Sequence, residues 1–209
     1  MSRYLGPKCR LCRREGKKLF LKGARCSSPK CPLEKKGAVI PGQHGSRRFS
    51  GKSSEYSLQL REKQKAKRTY QVFEKQIKIY YEEAKKQKSA TGKALLRLLE
   101  TRLDNVLYRL GFSASRSSAR QLIRHGHVTV DGKKVNIPSF LVKKDQLIGL
   151  DQKALKIVEV KKAVEDKDYK LPLWLERKAA VGKIIRLPDN DDLPTEIDDQ
   201  LIVEFYSRA

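Results

Sequence analysis

The chain has 209 residues, 39% of them hydrophobic, and 47 Lys and Arg against 24 Asp and Glu give it a formal net charge of +23. This length suits two small domains rather than one large core, and so large a positive charge points to a polyanionic partner. No stretch approaches the ~20 apolar residues of a membrane span, and Met1-Ser2-Arg3-Tyr4 leads into charge rather than an apolar secretory core, which argues against membrane binding and secretion. The charge is uneven. Residues 1–70 carry 20 basic and 4 acidic side chains, whereas residues 171–209 carry 5 and 8, so nucleic acid is expected at the N-terminal end and not at the last stretch.

All four cysteines lie in the first 31 residues, as Cys9-x2-Cys12, a gap of 13 residues, then Cys26-x4-Cys31. Two close pairs joined by a loop suit a tetrahedral thiolate site, because each pair spans two coordination positions and the loop lets the pairs meet. Lys8, Arg10, Arg13, Arg14, Arg25 and Lys30 surround them and would lower the thiol pKa values and offset the charge of a zinc tetrathiolate. Two disulfides, or thiols that merely cluster, are the alternatives, and the lack of secretory features favours metal over them. An iron–sulfur cluster is the other metal option, disfavoured because nothing else suggests redox work. One structural Zn2+ is therefore expected, and in a segment too short and charged to build a core it would supply the folding energy. Arg3, Arg10, Arg13 and Arg14 are also candidate RNA contacts.

Residues 37–52 form a Gly/Ser/Arg loop without periodicity. Arg47, Arg48 and Lys52 around Phe49 make it either a flexible linker or an RNA-contacting strap. Ser53 or Ser54 with Glu55 opens a helix, in which Arg61, Lys63, Lys65, Lys67 and Arg68 crowd positive charge that a solvated face would not need. Arg61, Lys65 and Arg68 are taken as RNA contacts. Tyr70, Phe73, Ile77, Tyr80, Tyr81 and Ala84 then recur at helical spacing, which reads as core before a base-stacking platform. Residues 85–92 are a polar break, and Ala94 to Leu110 is expected as one long or kinked helix.

From Arg102 to Leu147 the order is helix, turn, helix, hairpin. Leu103, Val106, Leu107 and Leu110 form a stripe that ends at Gly111, and Ser113 or Ser115 caps a second helix with Ala119, Leu122 and Ile123 inward. Arg116, Arg120 and Arg124 fall at i, i+4 and i+8 on one face. No Asp or Glu lies between Gly111 and Val130, so that face reads as unneutralised and suited to phosphate. Gly126 stops the helix, residues 127–130 alternate as a strand, and Asp131-Gly132 is the pair a type I′ turn demands. His125, Lys133 and Lys134 complete this candidate RNA surface. Further strands are expected around Pro138, at Leu147–Leu150, at Ala154–Val160 and at Gly182–Leu187. Seven acids and no base lie between Asp189 and Glu204, followed by a short terminal helix started by Asp198. Leu201 to Phe205 could alternatively be a strand. Leu201, Phe205 and Tyr206 are candidate contacts to a protein partner, with packing onto this chain's own helical domain as the competing fate.

Catalytic signatures are missing: Gly37-x4-Gly42 is followed by Gln43-His44 and so is no P-loop, and there is no G-x-S-x-G, H-E-x-x-H or dinucleotide fingerprint. His44 could complete a Cys/His metal site, although four cysteines already suffice, and His125 and His127, flanking a helix stop in a basic region, suit RNA contact or capping better than catalysis. An enzyme is not expected, nor a small-molecule substrate.

The segments Arg102-Leu103-Asp104-Asn105-Val106, Arg109-Leu110-Gly111-Phe112, Ala119-Arg120-Gln121-Leu122 and Arg124-His125-Gly126-His127-Val128 resemble the RNA-binding module named after small-subunit ribosomal protein four. Pseudouridine synthases, tyrosyl-tRNA synthetases and a heat-shock protein carry related modules. Tyr4-Leu5-Gly6-Pro7, Pro41-Gly42-Gln43-His44-Gly45, Tyr56 to Gln64, Tyr80-Tyr81-Glu82-Glu83-Ala84 and Val203 to Arg208 extend the likeness from end to end. The chain is thereby identified as a member of the ribosomal protein four family, bacterial or organellar, in its four-cysteine zinc-binding form. The resemblance implies an α+β protein with a zinc-binding N-terminal segment (1–45), a basic helical domain (46–98), an RNA-binding module of helices on a small antiparallel sheet (99–187) and an acidic C-terminal segment (188–209). It implies direct binding of the 5′ domain of small-subunit rRNA, nucleation of subunit assembly and an influence on decoding accuracy near the incoming mRNA, with ribosomal protein five as a neighbour. The ribosome of the cytoplasm, or of an organellar stroma or matrix, is the implied location. A free RNA-binding regulator or assembly factor built on the same module is the alternative.

Overall fold

The computed structural model describes residues 4–43, 45, 54–166 and 169–208. The chain forms two compact units, residues 1–92 with 195–209 and residues 93–194.

In the first unit, α1 (Lys8–Glu15), α2 (Ala24–Ser27) and α3 (Pro32–Lys36) bracket the cysteines. Their apolar content is small: Cys12, Leu19 and Leu21 are buried together, with Leu11 and Leu33 packed against them. The long α4 (Glu55–Thr69) begins where the Ser54 hydroxyl accepts the Ser57 amide at 3.3 Å, satisfying one of the amides that a helix start leaves open. It ends at Tyr70, and Gln71 at φ 54° turns the chain into α5 (Glu74–Lys85). Tyr70, Ile77, Tyr80, Tyr81 and Ala84 are buried, so that stripe is core, while Phe73 stays 36% exposed. The last helix, here α11 (Asp199–Ser207), is capped by Asp198, which accepts the Gln200 and Leu201 amides. It packs on α4 with Ile202 fully buried.

The second unit carries α6 (Thr91–Glu100) from Lys93 onward, then α7 (Leu103–Arg109) and α8 (Arg116–Arg124), capped by Ser115. Strands β1 (Val128–Val130), β2 (Lys133–Lys134), β3 (Leu147–Leu150), β4 (Leu175–Lys178) and β5 (Val181–Ile184) form one antiparallel sheet in the order β2-β1-β3-β5-β4. Val128, Val130, Ile148, Leu175 and Ile184 point from the sheet into a core shared with Leu103, Val106, Leu107, Leu110 and Ile123. Gly182 permits the closest approach, since a Cβ there would meet the Leu110 side chain. Between β3 and β4 lie α9 (Gln152–Leu155) and α10 (Val158–Glu165). Trp174 is 1% exposed and belongs to the same core.

Four expectations need correction. The chain at Pro138 is a turn and not a strand, because proline has no N–H to give a ladder. Ala94 to Leu110 is two helices, because Arg102 adopts extended backbone (φ −67°, ψ 138°) to bridge Leu141 and bury its guanidinium. Ala154–Val160 is helical, not a strand: Ala154 and Val160 are buried with exposed residues between them, lacking the period-two alternation of a half-buried strand. The late strand is Val181–Ile184 rather than Gly182–Leu187, and its partner β4 had no alternating apolar signal, since Leu175-Glu176-Arg177-Lys178 buries only Leu175. Among the described residues no helix is long and apolar enough to cross a membrane.

Candidate nucleic-acid interface and cysteine cluster

The arginine face of α8 is divided by its partners in α6 and α7. Asp104, at the start of α7, is buried and receives Arg102 through two bonds of 3.1 and 2.9 Å and Arg120 through bonds of 3.2 and 2.6 Å to one oxygen. Arg116 donates to Asn105 Oδ1 at 2.7 Å and stacks over the Tyr108 ring at 4.5 Å. Asn105 in turn donates to Glu100, whose carboxylate also receives Arg109 at 2.7 and 3.0 Å. The acids absent from residues 111–130 are thus supplied by Glu100 and Asp104, about one to two helices upstream in sequence. Arg116 and Arg120 are 6% and 5% exposed and serve this network, correcting the expectation of an unneutralised face. Leaving the Asp104 carboxylate buried without its partners would cost roughly 3 to 5 kcal/mol, a penalty of the uncompensated charge and not the net stability of the network.

Arg124 lies beyond the network and is exposed, as are His125, Lys133 and Lys134. They follow one another along the end of α8 and the β1–β2 hairpin, whose tip holds Asp131 (φ 48°) and Gly132 (φ 78°) in the left-handed conformation of a type I′ turn. Gln121 is exposed on the same helix, and Ser118, His125 and His127 border a cavity of about 120 Å3. This edge of the unit can accept phosphates and present hydrogen-bond donors to ribose hydroxyls.

In the first unit the basic residues divide in the same way. Arg61 and Arg68 both reach Glu15, at 3.5 Å for Arg61, and the Glu15 side chain is 1% exposed. Burial pushes the Glu15 carboxyl up, against the pull of Arg68 and Arg61. Lys65 is buried, pairs with Glu62 and donates to the Glu196 carbonyl at 3.1 Å. Arg61, Lys65 and Arg68 therefore tie elements of the unit together, in place of the open basic face read from the sequence. Arg10 and Arg14 are exposed, while Arg13 donates to the Val39 carbonyl at 2.8 Å. Lys75 and Lys78 are exposed on α5, where the aromatic stripe is the stronger signal in the sequence. Arg3, His44, Arg47, Arg48 and Lys52 lie outside the described residues.

The proposed protein contacts also have partners here. Phe205 meets Tyr56 at 5.8 Å between centroids and receives the Lys63 ammonium at 4.1 Å, and Tyr206 lies 4.9 Å from Tyr81. The Tyr206 hydroxyl donates to Glu74 at 2.7 Å, and Lys63 and Lys67 reach the same carboxylate at 2.8 and 3.1 Å. Burial would raise the Glu74 pKa, but the bonds from Lys63, Tyr206 and Lys67 outweigh it and bring it to about 2. Burial and the Glu74 bond push the Tyr206 phenol up. Leu201 is half-buried on the same helix.

All four cysteines are free thiols, and together they line a cavity of about 20 Å3, room for one atom-sized occupant. The Lys22 amide donates to Cys26 Sγ at 3.3 Å. Burial pushes the Cys12 thiol up, the reverse of the lowering expected from the flanking cations, although a backbone bond from Leu19 opposes it. No group of three or more His, Cys, Asp and Glu side chains among the described residues is arranged to hold a metal ion. The donor set matches a tetrathiolate in kind and number, and the sulfurs share one cavity without standing in ligating geometry.

Comparison with known proteins adds two family matches: "Ribosomal protein S4/S9 N-terminal domain" over residues 3–100 and "S4 domain" over residues 101–148. The chain is 50% identical over 210 residues to small ribosomal subunit protein uS4A of Symbiobacterium thermophilum. It is 51% identical over 211 residues to uS4 of Natranaerobius thermophilus and 49% identical over 211 residues to uS4 of Thermus thermophilus. In all three cases 100% of both chains is covered.

Proposed function

The chain belongs to the uS4 family of small-ribosomal-subunit proteins, and from that premise we propose how it works there. It is a structural, non-enzymatic constituent of the small subunit that binds ribosomal RNA. Full-length identity near one half to proteins of that name carries this reading. Shape and charge recognition suits structured RNA, because A-form grooves hide base edges from side chains. Arg124, His125, Lys133 and Lys134 from the second unit, and Arg10 and Arg14 from the first, are the residues we assign to phosphate contact, with Arg3, Arg47, Arg48 and Lys52 as further candidates. We assign the 5′ domain of the rRNA as the binding region, with nucleation of assembly and an influence on decoding accuracy near incoming mRNA as consequences. Protein five is the proposed neighbour. Since Phe205 and Tyr206 are engaged within this chain, as are Asp189 and Asp192 by Arg186, exposed Asp191 and Glu196 are the better candidates for that protein contact. If the chain is bacterial, like the relatives above, it works on the cytoplasmic ribosome.

Cosedimentation tests the role: the protein should stay with small subunits at one copy each through washes in high salt. Release at moderate salt, or association only with precursor particles, would favour a free regulator or assembly factor.

For the cysteines we propose one structural zinc held by Cys9, Cys12, Cys26 and Cys31. Support comes from four free thiols around one ion-sized cavity in a segment whose apolar core is only a few side chains. Bound zinc would hold the thiolates and supply folding energy to that segment. Elemental analysis of protein purified under reducing conditions should find about one zinc per chain, and Cys12→Ser should abolish it. Metal-free protein with a normal circular dichroism spectrum would exclude the site.

A further inference from the structure

A cavity of about 240 Å3 opens in the first unit between the start of α1, the end of α4 and the turn into α5. That is just below the ~300 Å3 at which pockets for drug-sized ligands begin, so it suits one base-sized group rather than a folded segment. Its floor is apolar, from Leu11, Leu21 and Val72, and its aromatic residues are Tyr4 and Phe73, which are 45% and 36% exposed. The Tyr4 ring lies against Gly6, where a Cβ would collide with it, so the glycine lets the ring fold down beside the cavity. The cations Lys8, Lys67 and Arg68 border it together with the Gln64 amide, and no acid is among the described residues that line it. Lys8 donates to the Leu21 carbonyl at 3.3 Å, Lys67 to Glu74 at 3.1 Å and Arg68 to Glu15, and an ammonium or guanidinium carries more than one N–H to donate.

We infer that this cavity takes a single unpaired nucleotide of the RNA the protein binds. The base enters over the apolar floor beside Tyr4 and Phe73, and its phosphate meets Lys8 and Lys67 at the rim, with Arg68 held back by Glu15. Three features support this occupant. A lining whose three cations outnumber the two carboxylates paired with them, Glu74 and Glu15, keeps a positive balance that complements a phosphate-bearing ligand. Exposed rings beside cations form the combination that stacks unpaired bases. RNA recognition beyond shape works through bases splayed out of helices, and one base is what this volume admits. The inference rests on the ribosomal RNA reading above but names a site of its own.

The experiment places the photoreactive analogue benzoylphenylalanine at position 73 of the full-length protein, irradiates it on the 5′ domain of small-subunit rRNA, and maps the crosslink by primer extension. One unpaired nucleotide should dominate. Tyr4→Leu should weaken RNA binding at least fivefold, the lower end of what one stacked base contributes. The cavity-filling Gln64→Trp should weaken it similarly with an unchanged circular dichroism spectrum. If Gln64→Trp does not fold, the crosslink and Tyr4→Leu decide between them. Crosslinking to paired stems or to another protein would overturn the inference, as would undiminished affinity in Tyr4→Leu, and in either case the rRNA reading would survive. Failure of the unaltered protein to bind this RNA would remove both.

Discussion

Arg120 and Arg124 stand one helical turn apart on α8, yet they do different work. Arg120 shares buried Asp104 with Arg102, so Arg120→Ala strips half the compensation from a buried carboxylate. We expect a loss of about 3 kcal/mol in unfolding free energy, the low end for breaking a buried pair because Arg102 remains. Arg124→Ala should change stability by no more than about 0.5 kcal/mol, while the slope of log affinity against log salt falls by about 0.7 to 0.9 for the lost phosphate contact. Chemical denaturation and salt-dependent filter binding on the two variants separate these outcomes. Equal stability in both would mean that the Asp104 network is dispensable. Glu74 makes a pH prediction. Its folded pKa, about 2, lies below the ordinary glutamate value near 4.3. Its contribution is therefore fully present above the unfolded value and is lost as pH falls from about 5 toward 2. Glu74→Gln should flatten the stability profile in that window, and because the carboxylate is 44% exposed the effect is screened and modest. Identical acid profiles for both proteins would show that Lys63, Lys67 and Tyr206 do not hold the charge.

At the scale of elements, α11 is bound to α4 and α5 by apolar, aromatic and polar contacts at once. Ile202 is fully buried, Phe205 and Tyr206 meet Tyr56 and Tyr81, and Gln59 donates to Glu204 at 3.0 Å. Ile202→Ala should therefore cost about 2 to 5 kcal/mol. Truncation after Thr195 should make α4 sensitive to protease and lower RNA affinity through the fold. That outcome differs from a tail that serves only as a protein contact, and unchanged proteolysis of α4 would restore the simpler view. In the second unit, Gly182 lies under Leu110, so Gly182→Ala should overpack the sheet against α7 and cost about 1 to 3 kcal/mol. A neutral effect would mean that Leu110 can move aside.

At the scale of the molecule, the two units carry different reporters. The single Trp, Trp174, is buried in the sheet unit, while the four cysteines lie in the other. If the proposed zinc is bound, a strong chelator should therefore reduce helical circular dichroism while Trp174 emission stays unchanged, and a red shift of that emission would mean that the sheet unit also depends on the metal. Much of this organisation was legible in the sequence because it is local. Ser54, Ser115 and Asp198 cap the helices that follow them, Gly111, Asp131 and Gly132 take the positive φ that their turns require, and the Tyr70–Ala84 stripe repeats at helical spacing. The cysteine pairs and the sign of the charge were equally plain, since spacing and composition need no fold to be counted. Tertiary structure decided which charges are available to a partner. Asp104 and Glu100 neutralise Arg120 and Arg109 from neighbouring helices, Asn105 holds Arg116, Glu15 draws in Arg61 and Arg68 from a distant helix, and β4 became a strand by pairing with β5 despite carrying no alternating pattern. An ion pair or a strand pairing depends on which residues meet in space, and a linear sequence records what each residue can do without recording which others it will meet.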